Sequence, residues 1–338
     1  MERSYKNKSH FNKDNKQARL KGVVTPEKAL YHAQMLSNSL RNKYRHLAKR
    51  FRKARIECFR LYDWDSPEIR IVADWYAGHL VVAEYERLQT GPEYLPQMAQ
   101  AAASALNVPM GKVHIKKRHT KVAEGPRYSK LACEDKRMEV REGDLKFLVN
   151  LTDFLDTGLF SDHRQTRNII RKMSEGKDFL NLFAYTGAFT CAAALGNACS
   201  TVTVDRSQTY VSWARDNLEL NGLWSDRHKL VQSDAMKYLT LADKDEQRFD
   251  LAFVDPPSFY KEQAAGVDFD INRDHPDLIN KVLKVMRPGS DILFSTNHQR
   301  FEPRFDDLKV KEIIPLTPKT IPEDYRNRSI HHCWQIKV

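Results

Sequence analysis

Residues 177–188, KDFLNLFAYTGA, pass from a short apolar run (177–183) into the turn Ala184-Tyr185-Thr186-Gly187-Ala188, and then into 189–195, a stretch rich in small residues. An apolar run of that length closed by a glycine turn reads as a buried strand, with a closely packed helix after it. The alternation continues downstream. Residues 201–204 read as a strand ending at Asp205, 207–221 as a helix, 229–232 as a strand ending at Asp234, 250–254 as a strand ending at Asp255-Pro256-Pro257, and 291–295 as a further strand. Strands alternating with helices predict an α/β domain over 150–338, its parallel sheet covered on both faces.

Acids therefore fall at the C-terminal ends of three successive strands, the edge at which open α/β sheets bind ligands. Asp205 follows Gly187 by 18 residues, near the spacing at which an acid meets the hydroxyls of a ribose. A carboxylate suits that position because it accepts both hydrogen bonds of a vicinal diol. The turn has one glycine, whereas a dinucleotide fingerprint needs several so that backbone N–H groups can reach a pyrophosphate. A nucleoside ligand without phosphate, such as S-adenosyl-L-methionine (SAM), fits the thinner turn. The competing reading makes the same acids helix N-caps and turn formers.

The charge distribution carries a second signal. The net charge is +11, but residues 1–56 hold 16 Lys/Arg and 3 Asp/Glu, a net of +13, and the remaining 282 residues a net of −2. Residues 1–22 are polar and basic and read as a disordered arm. A helix is expected across 23–57, with Thr25 as N-cap and Pro26 in the first turn. Ala33, Leu36, Leu40, Tyr44, Leu47 and Phe51 give it one apolar stripe. Its other faces carry Arg41, Lys43, Arg45, Lys49, Arg50, Arg52, Lys53 and Arg55, with no acid between Arg41 and Ile56. A solvated helix docked by its stripe is the plain reading. So long a run of one sign is costly unless a polyanion screens it, which favours nucleic-acid contact through phosphates.

Residues 58–149 read as a small α+β domain for RNA or substrate binding. Its predicted strands are 58–62, 69–73, 80–84 and 112–117, its helix is 96–106, and a hairpin surrounds Glu142-Gly143-Asp144. The cluster Lys116-Lys117-Arg118-His119 fits RNA contact and a solvated strand end equally. Five dispersed cysteines without a CxxC pair, and twelve histidines without HExxH, predict reduced thiols and no metal. His331 and His332 are adjacent, and neighbours on a strand point to opposite faces. No apolar stretch approaches membrane-span length, and the basic N-terminus is not a secretory signal. The expectation is a cytoplasmic monomer.

On these residues the chain resembles the class I SAM-dependent rRNA methyltransferases, and within them the guanine-N7 half of the bifunctional bacterial 23S rRNA enzymes (RlmKL). The likeness spans roughly 40–338. It is densest in Asn150-Leu151-Thr152-Asp153 through Asp162-His163-Arg164, in 179–187, in Asp255-Pro256-Pro257, in Arg273-Asp274-His275 and in Arg326-Asn327-Arg328. The resemblance implies a Rossmann-like SAM-methyltransferase sheet and SAM as cofactor. It implies 23S rRNA or a large-subunit precursor as partner, and a stand-alone enzyme lacking the N2-methylating half. By the same resemblance, Asp162 and Arg164 hold the methionine end, Arg164 at its carboxylate. Phe183, Tyr185, Thr186 and Gly187 line the cofactor turn. Asp205 takes the ribose, with Arg206 and Ser207 beside it, and Asp234 binds the adenine amino group. Asp255, Pro256, Pro257 and Ser258 face the methyl group and target base.

Chemistry narrows the target atom. Methylation at pyrimidine C5 needs a thiolate nucleophile. Related enzymes place it near the strand 293–298 or beside the DPP proline, and neither place has a cysteine. Exocyclic-amine methylases carry an aromatic directly after the Pro-Pro pair, where this chain has Ser258, with Phe259 and Tyr260 displaced along it. Guanine N7 has an in-plane lone pair and no hydrogen to lose, so alignment suffices. The expected product is 7-methylguanosine, with Phe259 or Tyr260 stacking on an unstacked base. Methylation of guanine N2 or pyrimidine C5 is the alternative enzyme reading, and a non-catalytic RNA-binding assembly factor is the alternative outside enzymology.

Overall fold

A computed structural model describes residues 23–85, 87–118, 134–262 and 267–338. The basic arm expected at 1–22, and His119 of the basic cluster, lie outside the described residues. The chain divides into two compact units, Met1–Lys53 with Glu57–Glu134 and Leu151–Leu155, and Ala54–Ile56 with Asp135–Asn150 and Asp156–Val338.

The first unit opens with helix α1 (Pro26–Lys53), whose Lys28 N–H donates to the Thr25 hydroxyl at 3.3 Å. Leu36, Leu40, Leu47 and Phe51 are buried along its stripe. Four strands follow: β1 (Cys58–Asp63), β2 (Ile71–Tyr76), β3 (His79–Tyr85) and, after helix α2 (Tyr94–Leu106), β4 (Val113–Arg118). They lie in the order β1-β2-β3-β4. Turns join β1, β2 and β3 antiparallel, whereas the α2 crossover sets β4 parallel to β3. Lys116 on β4 is buried, its ammonium donating to the carbonyls of Phe154 at 2.6 Å and Leu155 at 3.2 Å. The basic cluster thus loses its first member to structure, because a buried ammonium needs acceptors and finds them in the 151–155 segment.

The second unit begins with the hairpin β5 (Met138–Glu142) and β6 (Leu145–Val149). The sequence reading grouped this hairpin with 58–149. It continues with α3 (Arg164–Met173), β7 (Asp178–Leu182), α4 (Ala188–Leu195), β8 (Ser200–Asp205), α5 (Gln208–Leu220), β9 (His228–Gln232), α6 (Ala235–Lys244) and β10 (Phe249–Val254). The hairpin hangs on α5, where Asn217 accepts from the Leu148 N–H and Asn221 from that of Lys146, and the Trp213 indole donates to the Leu148 carbonyl. Beyond β10 lie the short hairpin β11 (Phe259–Glu262) and β12 (Val267–Asp270), then α7 (Ile271–Lys284), β13 (Met286–Thr296), β14 (Glu312–Pro315) and β15 (His332–Lys337). The sequence reading had none of β11, β12, α7, β14 and β15.

The main sheet is ordered β14-β15-β13-β10-β7-β8-β9. The five strands from β13 to β9 are parallel, and β15 lies antiparallel between β13 and β14. From β7 the chain steps outward through β8 to β9, then returns to β10 on the other side. This reversal opens a crevice beyond the C-terminal ends of β7 and β10, the place where doubly wound sheets take ligands. The α/β class with its parallel core is the one expected. Both sheet faces are buried, under Leu180, Val202, Leu239, Leu278 and Phe294 in one cluster and Phe179, Phe189, Phe253 and Leu293 in the other.

Candidate active site

The turn after β7 is wound tightly. Phe183 (φ 55°), Tyr185 (φ 51°) and Gly187 (φ 72°) occupy the left-handed region. Such backbone persists only where surrounding bonds fix it. The Ala184 N–H donates to Val204, the Thr186 hydroxyl to the Gly158 carbonyl at 2.6 Å, and the Asn217 amide to the Thr186 carbonyl at 2.9 Å. Gly187 also sits against α5, where an added Cβ would meet that of Ala214 at 2.6 Å.

Asp205, at the tip of β8, closes the turn. One carboxylate oxygen accepts the Tyr185 N–H at 2.8 Å and the other the Ser207 N–H at 2.9 Å. Burial raises its pKa, and the Ser207 and Tyr185 backbone bonds work against that rise. Each oxygen has a second acceptor site, so a pair of vicinal hydroxyls finds two acceptors fixed in advance. Ser207 caps α5, accepting from the Tyr210 N–H at 3.4 Å.

Asp234 divides its carboxylate. One oxygen caps α6, accepting from Met236 and Lys237 N–H at 2.9 and 3.1 Å, and the other accepts the Tyr260 hydroxyl at 3.0 Å. The Tyr260 ring stacks on Phe269 at 5.3 Å and lies under the Arg206 guanidinium at 4.6 Å. Asp234, Arg206 and Tyr260 thus form one wall beside the Asp205 tip. Tyr260, one of two residues expected to stack on the target base, belongs to this wall. Phe259 is half-buried at the start of β11, and the Ser258 hydroxyl donates to the Asn297 side chain at 3.0 Å.

Asp255, at the tip of β10, keeps 26% of its side chain exposed and stands 3.5 Å from His163 Nε2. Pro256 behind it is buried and Pro257 half-buried. Asp162 and His163 belong to a single 3₁₀ turn, Ser161–His163, that feeds α3. Asp162 accepts from His331 Nδ1 at 3.0 Å, and the rings of His163 and His331 stack at 4.2 Å with their planes 12° apart. Burial, with His331 second, pushes the His163 pKa down to about 3. Burial lifts Asp255 to about 6.

Asp162, His163 and His331 bring three potential metal-ligand atoms within 4.8 Å of one another. An imidazole binds a cation along a lone pair in its own plane, at about 2.0–2.1 Å for zinc. With the two rings nearly parallel and stacked, an ion in the plane of one lies off the plane of the other. The arrangement therefore suits protons better than a metal.

Arg164 is buried and its guanidinium pairs with the buried carboxylate of Asp324. The structure gives it a carboxylate of the chain's own, so it ties α3 to the segment before β15. Sequence reasoning missed His163, His331 and Asp324. Their partners lie 160 and 169 residues away, and no local spacing announces such pairs. The antiparallel return of β15, which brings His332 opposite Thr296 at the C-terminal tip of β13, is the element that would have revealed them.

In the first unit, Arg41, Tyr44, Arg45, Lys49 and Arg52 of α1 line a groove of about 630 Å³ with Ala105, Leu106 and Asn107 at the end of α2. Lys43 is half-buried, whereas Arg50 and Lys53 are exposed outside that groove.

A strand-tip acid at a glycine turn, facing a second acid across the switch point of a doubly wound sheet, is an arrangement for holding a nucleoside-bearing ligand. Residues 54–315 match the family model described as S-adenosylmethionine-dependent methyltransferase. The chain belongs to that family, and SAM is its cofactor. It is 40% identical over 333 residues to "Ribosomal RNA large subunit methyltransferase K/L" of Syntrophotalea carbinolica, covering 96% of this chain and 46% of that protein. The same-named protein of Aeromonas hydrophila is 42% identical over 315 residues, covering 90% and 43%. The chain thus spans less than half the length of these relatives. Among solved structures, the methyltransferase SMU.776 complexed with SAH superposes with a TM-score of 0.72 at 23% identity, covering 90% of this chain and 82% of that one. A SAM-dependent methyltransferase from Streptococcus mutans gives 0.71 at 22%, covering 90% and 81%.

Proposed function

We propose that the chain methylates guanine N7 in large-subunit (23S) ribosomal RNA. The observation that carries this reading is that the reacting edge between β7 and β10 offers a carboxylate and no usable nucleophile. Cys191 is buried, its thiol pushed up to about 12, and the buried Cys333 thiol is raised further. Neither can supply the thiolate that C5 chemistry needs.

Asp205 would receive the ribose diol of SAM, the Arg206–Tyr260–Asp234 wall its adenine side, and the Asp162–Asp255 edge its sulfonium end. The bound cofactor supplies an electrophilic methyl carbon on a positively charged sulfur. Asp255 holds negative charge where positive charge passes to the base, which favours the transition state as well as the bound cation. Since N7 carries no hydrogen, no residue has to remove a proton. Ser258, held by Asn297, and half-buried Phe259 lie next along the chain, where the flipped base would be received. Asp234 would serve the adenine through Tyr260, because its carboxylate is already divided between that hydroxyl and the α6 cap.

RNA would be gathered by the α1–α2 groove, its cations taking phosphates and Tyr44 offering a ring within reach of a base. An rRNA substrate would place this work in the cytoplasm. The test is methylation of unmodified large-subunit RNA with labelled SAM, followed by nucleoside mass spectrometry. 7-methylguanosine is expected. N2-methylguanosine or 5-methylcytidine in its place would replace the N7 reading, and no incorporation despite SAM binding would point to an assembly factor.

A further inference from the structure

The hydrogen bonds around His331 fix its charge. Its Nε2 lies 3.0 Å from the Thr320 hydroxyl, and that hydroxyl donates its one hydrogen to the Thr317 carbonyl, also at 3.0 Å. Thr320 must then accept from Nε2. Its Nδ1 faces the Asp162 carboxylate at 3.0 Å, and an ionised carboxylate has no hydrogen to give. Both ring nitrogens are therefore donors, and the ring is an imidazolium. Its stacked neighbour differs. His163 Nδ1 meets the Thr166 hydroxyl at 3.3 Å, while its Nε2 stands 3.5 Å from Asp255 and 3.8 Å from Asp162, too far for strong bonds. It sits edge-on to Phe189 and Phe253, an environment for a neutral ring.

We propose that His331 is a charged positioning residue which, through Asp162 and the neutral His163 ring stacked on it, keeps the Asp255 carboxylate ionised and aimed at the sulfonium end of the donor. This rests on the donor lying at Asp255 as described above. The charges close sensibly: Asp162 and Asp255 are two anions, His331 is one cation, and one negative charge remains to meet the cationic donor. Every element packed against the cluster fits this count. From the 3₁₀ turn come Asp162 and His163. From α3 come Arg164, already paired with Asp324, and Arg167, already paired with Glu142. From β13 comes the Ser295 hydroxyl, and from β15 the neutral thiol of Cys333. The influence of His331 on Asp255 opposes both burial and the charge of Asp162.

The test compares binding of SAM, a cation at sulfur, with binding of S-adenosylhomocysteine, neutral there, by calorimetry from pH 5 to 9. In the wild-type protein the preference for SAM should fall as pH drops through about 6, since a protonated Asp255 no longer attracts the sulfonium. In His331→Gln the midpoint of that fall should move up by about one pH unit, the effect of losing a nearby cation. In His163→Gln, which removes an equally buried ring without a charge, it should stay in place. Nitrogen-15 spectra of the wild-type histidines should show His331 protonated on both nitrogens at pH 7.5 and His163 on one. A singly protonated His331, or a preference that does not vary with pH, would overturn the proposal and leave donor binding intact. Failure to bind either nucleoside would instead overturn the donor site itself. If His331→Gln does not fold, the wild-type spectra and the wild-type pH profile still decide.

Discussion

Asp205, Gly187 and Asp255 show how single positions in this site serve both structure and ligand. The Asp205 carboxylate accepts two backbone N–H groups, so Asp205→Asn leaves one of them facing an amide nitrogen and also weakens the ribose site. Charge-assisted bonds of this kind are worth about 1.5–3 kcal/mol each, and SAM affinity measured by calorimetry should fall at least about tenfold. Wild-type affinity in that variant would remove Asp205 from the site. Gly187→Ala meets two obstacles, a left-handed backbone and the Ala214 methyl 2.6 Å away. A loss of about 2–3 kcal/mol in denaturant unfolding is expected. Asp255 behaves oppositely. Its folded pKa of about 6 lies above the ordinary 3.8, so its stabilising contribution is complete only below 3.8 and is lost as pH rises through about 6. Asp255→Asn should therefore stabilise the unliganded protein by about 1–3 kcal/mol at pH 8 while turnover collapses. An unchanged melting temperature would mean that the ionised carboxylate carries no folding penalty.

Among the elements, the parallel strands were legible because each is a short apolar run closed by an acid or a glycine, and burial on both faces leaves that pattern in the sequence. The strands β14 and β15 were not. Glu312–Pro315 and His332–Lys337 mix polar with apolar residues, as antiparallel strands at one side of a sheet tend to do. Of the site, the acids at 205, 234 and 255 were readable from strand ends. Both readings of Asp234 coexist in the structure, since the helix cap uses one carboxylate oxygen and leaves the other for Tyr260. The histidine pair was unreadable because tertiary folding alone joins its halves. In α1, the stripe and the N-cap were plain, and the groove beside Asn107 was not, since α2 supplies its other side. Removing Arg45, Lys49 and Arg52 together should reduce the salt slope of RNA binding by about three, roughly one per phosphate contact. SAM binding should be untouched, and an unchanged salt slope would move the RNA site elsewhere.

At the scale of the whole molecule, the two kinds of ligand should answer to different variables. SAM at about a hundred times its dissociation constant should stabilise the protein by about 2.7 kcal/mol, visible as a rise in melting temperature that hardly changes between 50 and 200 mM salt. RNA affinity over the same range should fall steeply, because released counterions drive it. A common salt dependence for both would argue against a cation-lined groove as the RNA site. The strand order has a consequence of its own. Because β15 lies between β13 and β14, the six residues His332–Lys337 are the only bridge by which β14 reaches the sheet. A protease cut ahead of them would strip away two strands, bare the edge of β13 as a sticky template for other chains, and take the imidazolium with it. Nicked protein should therefore aggregate as it loses its donor.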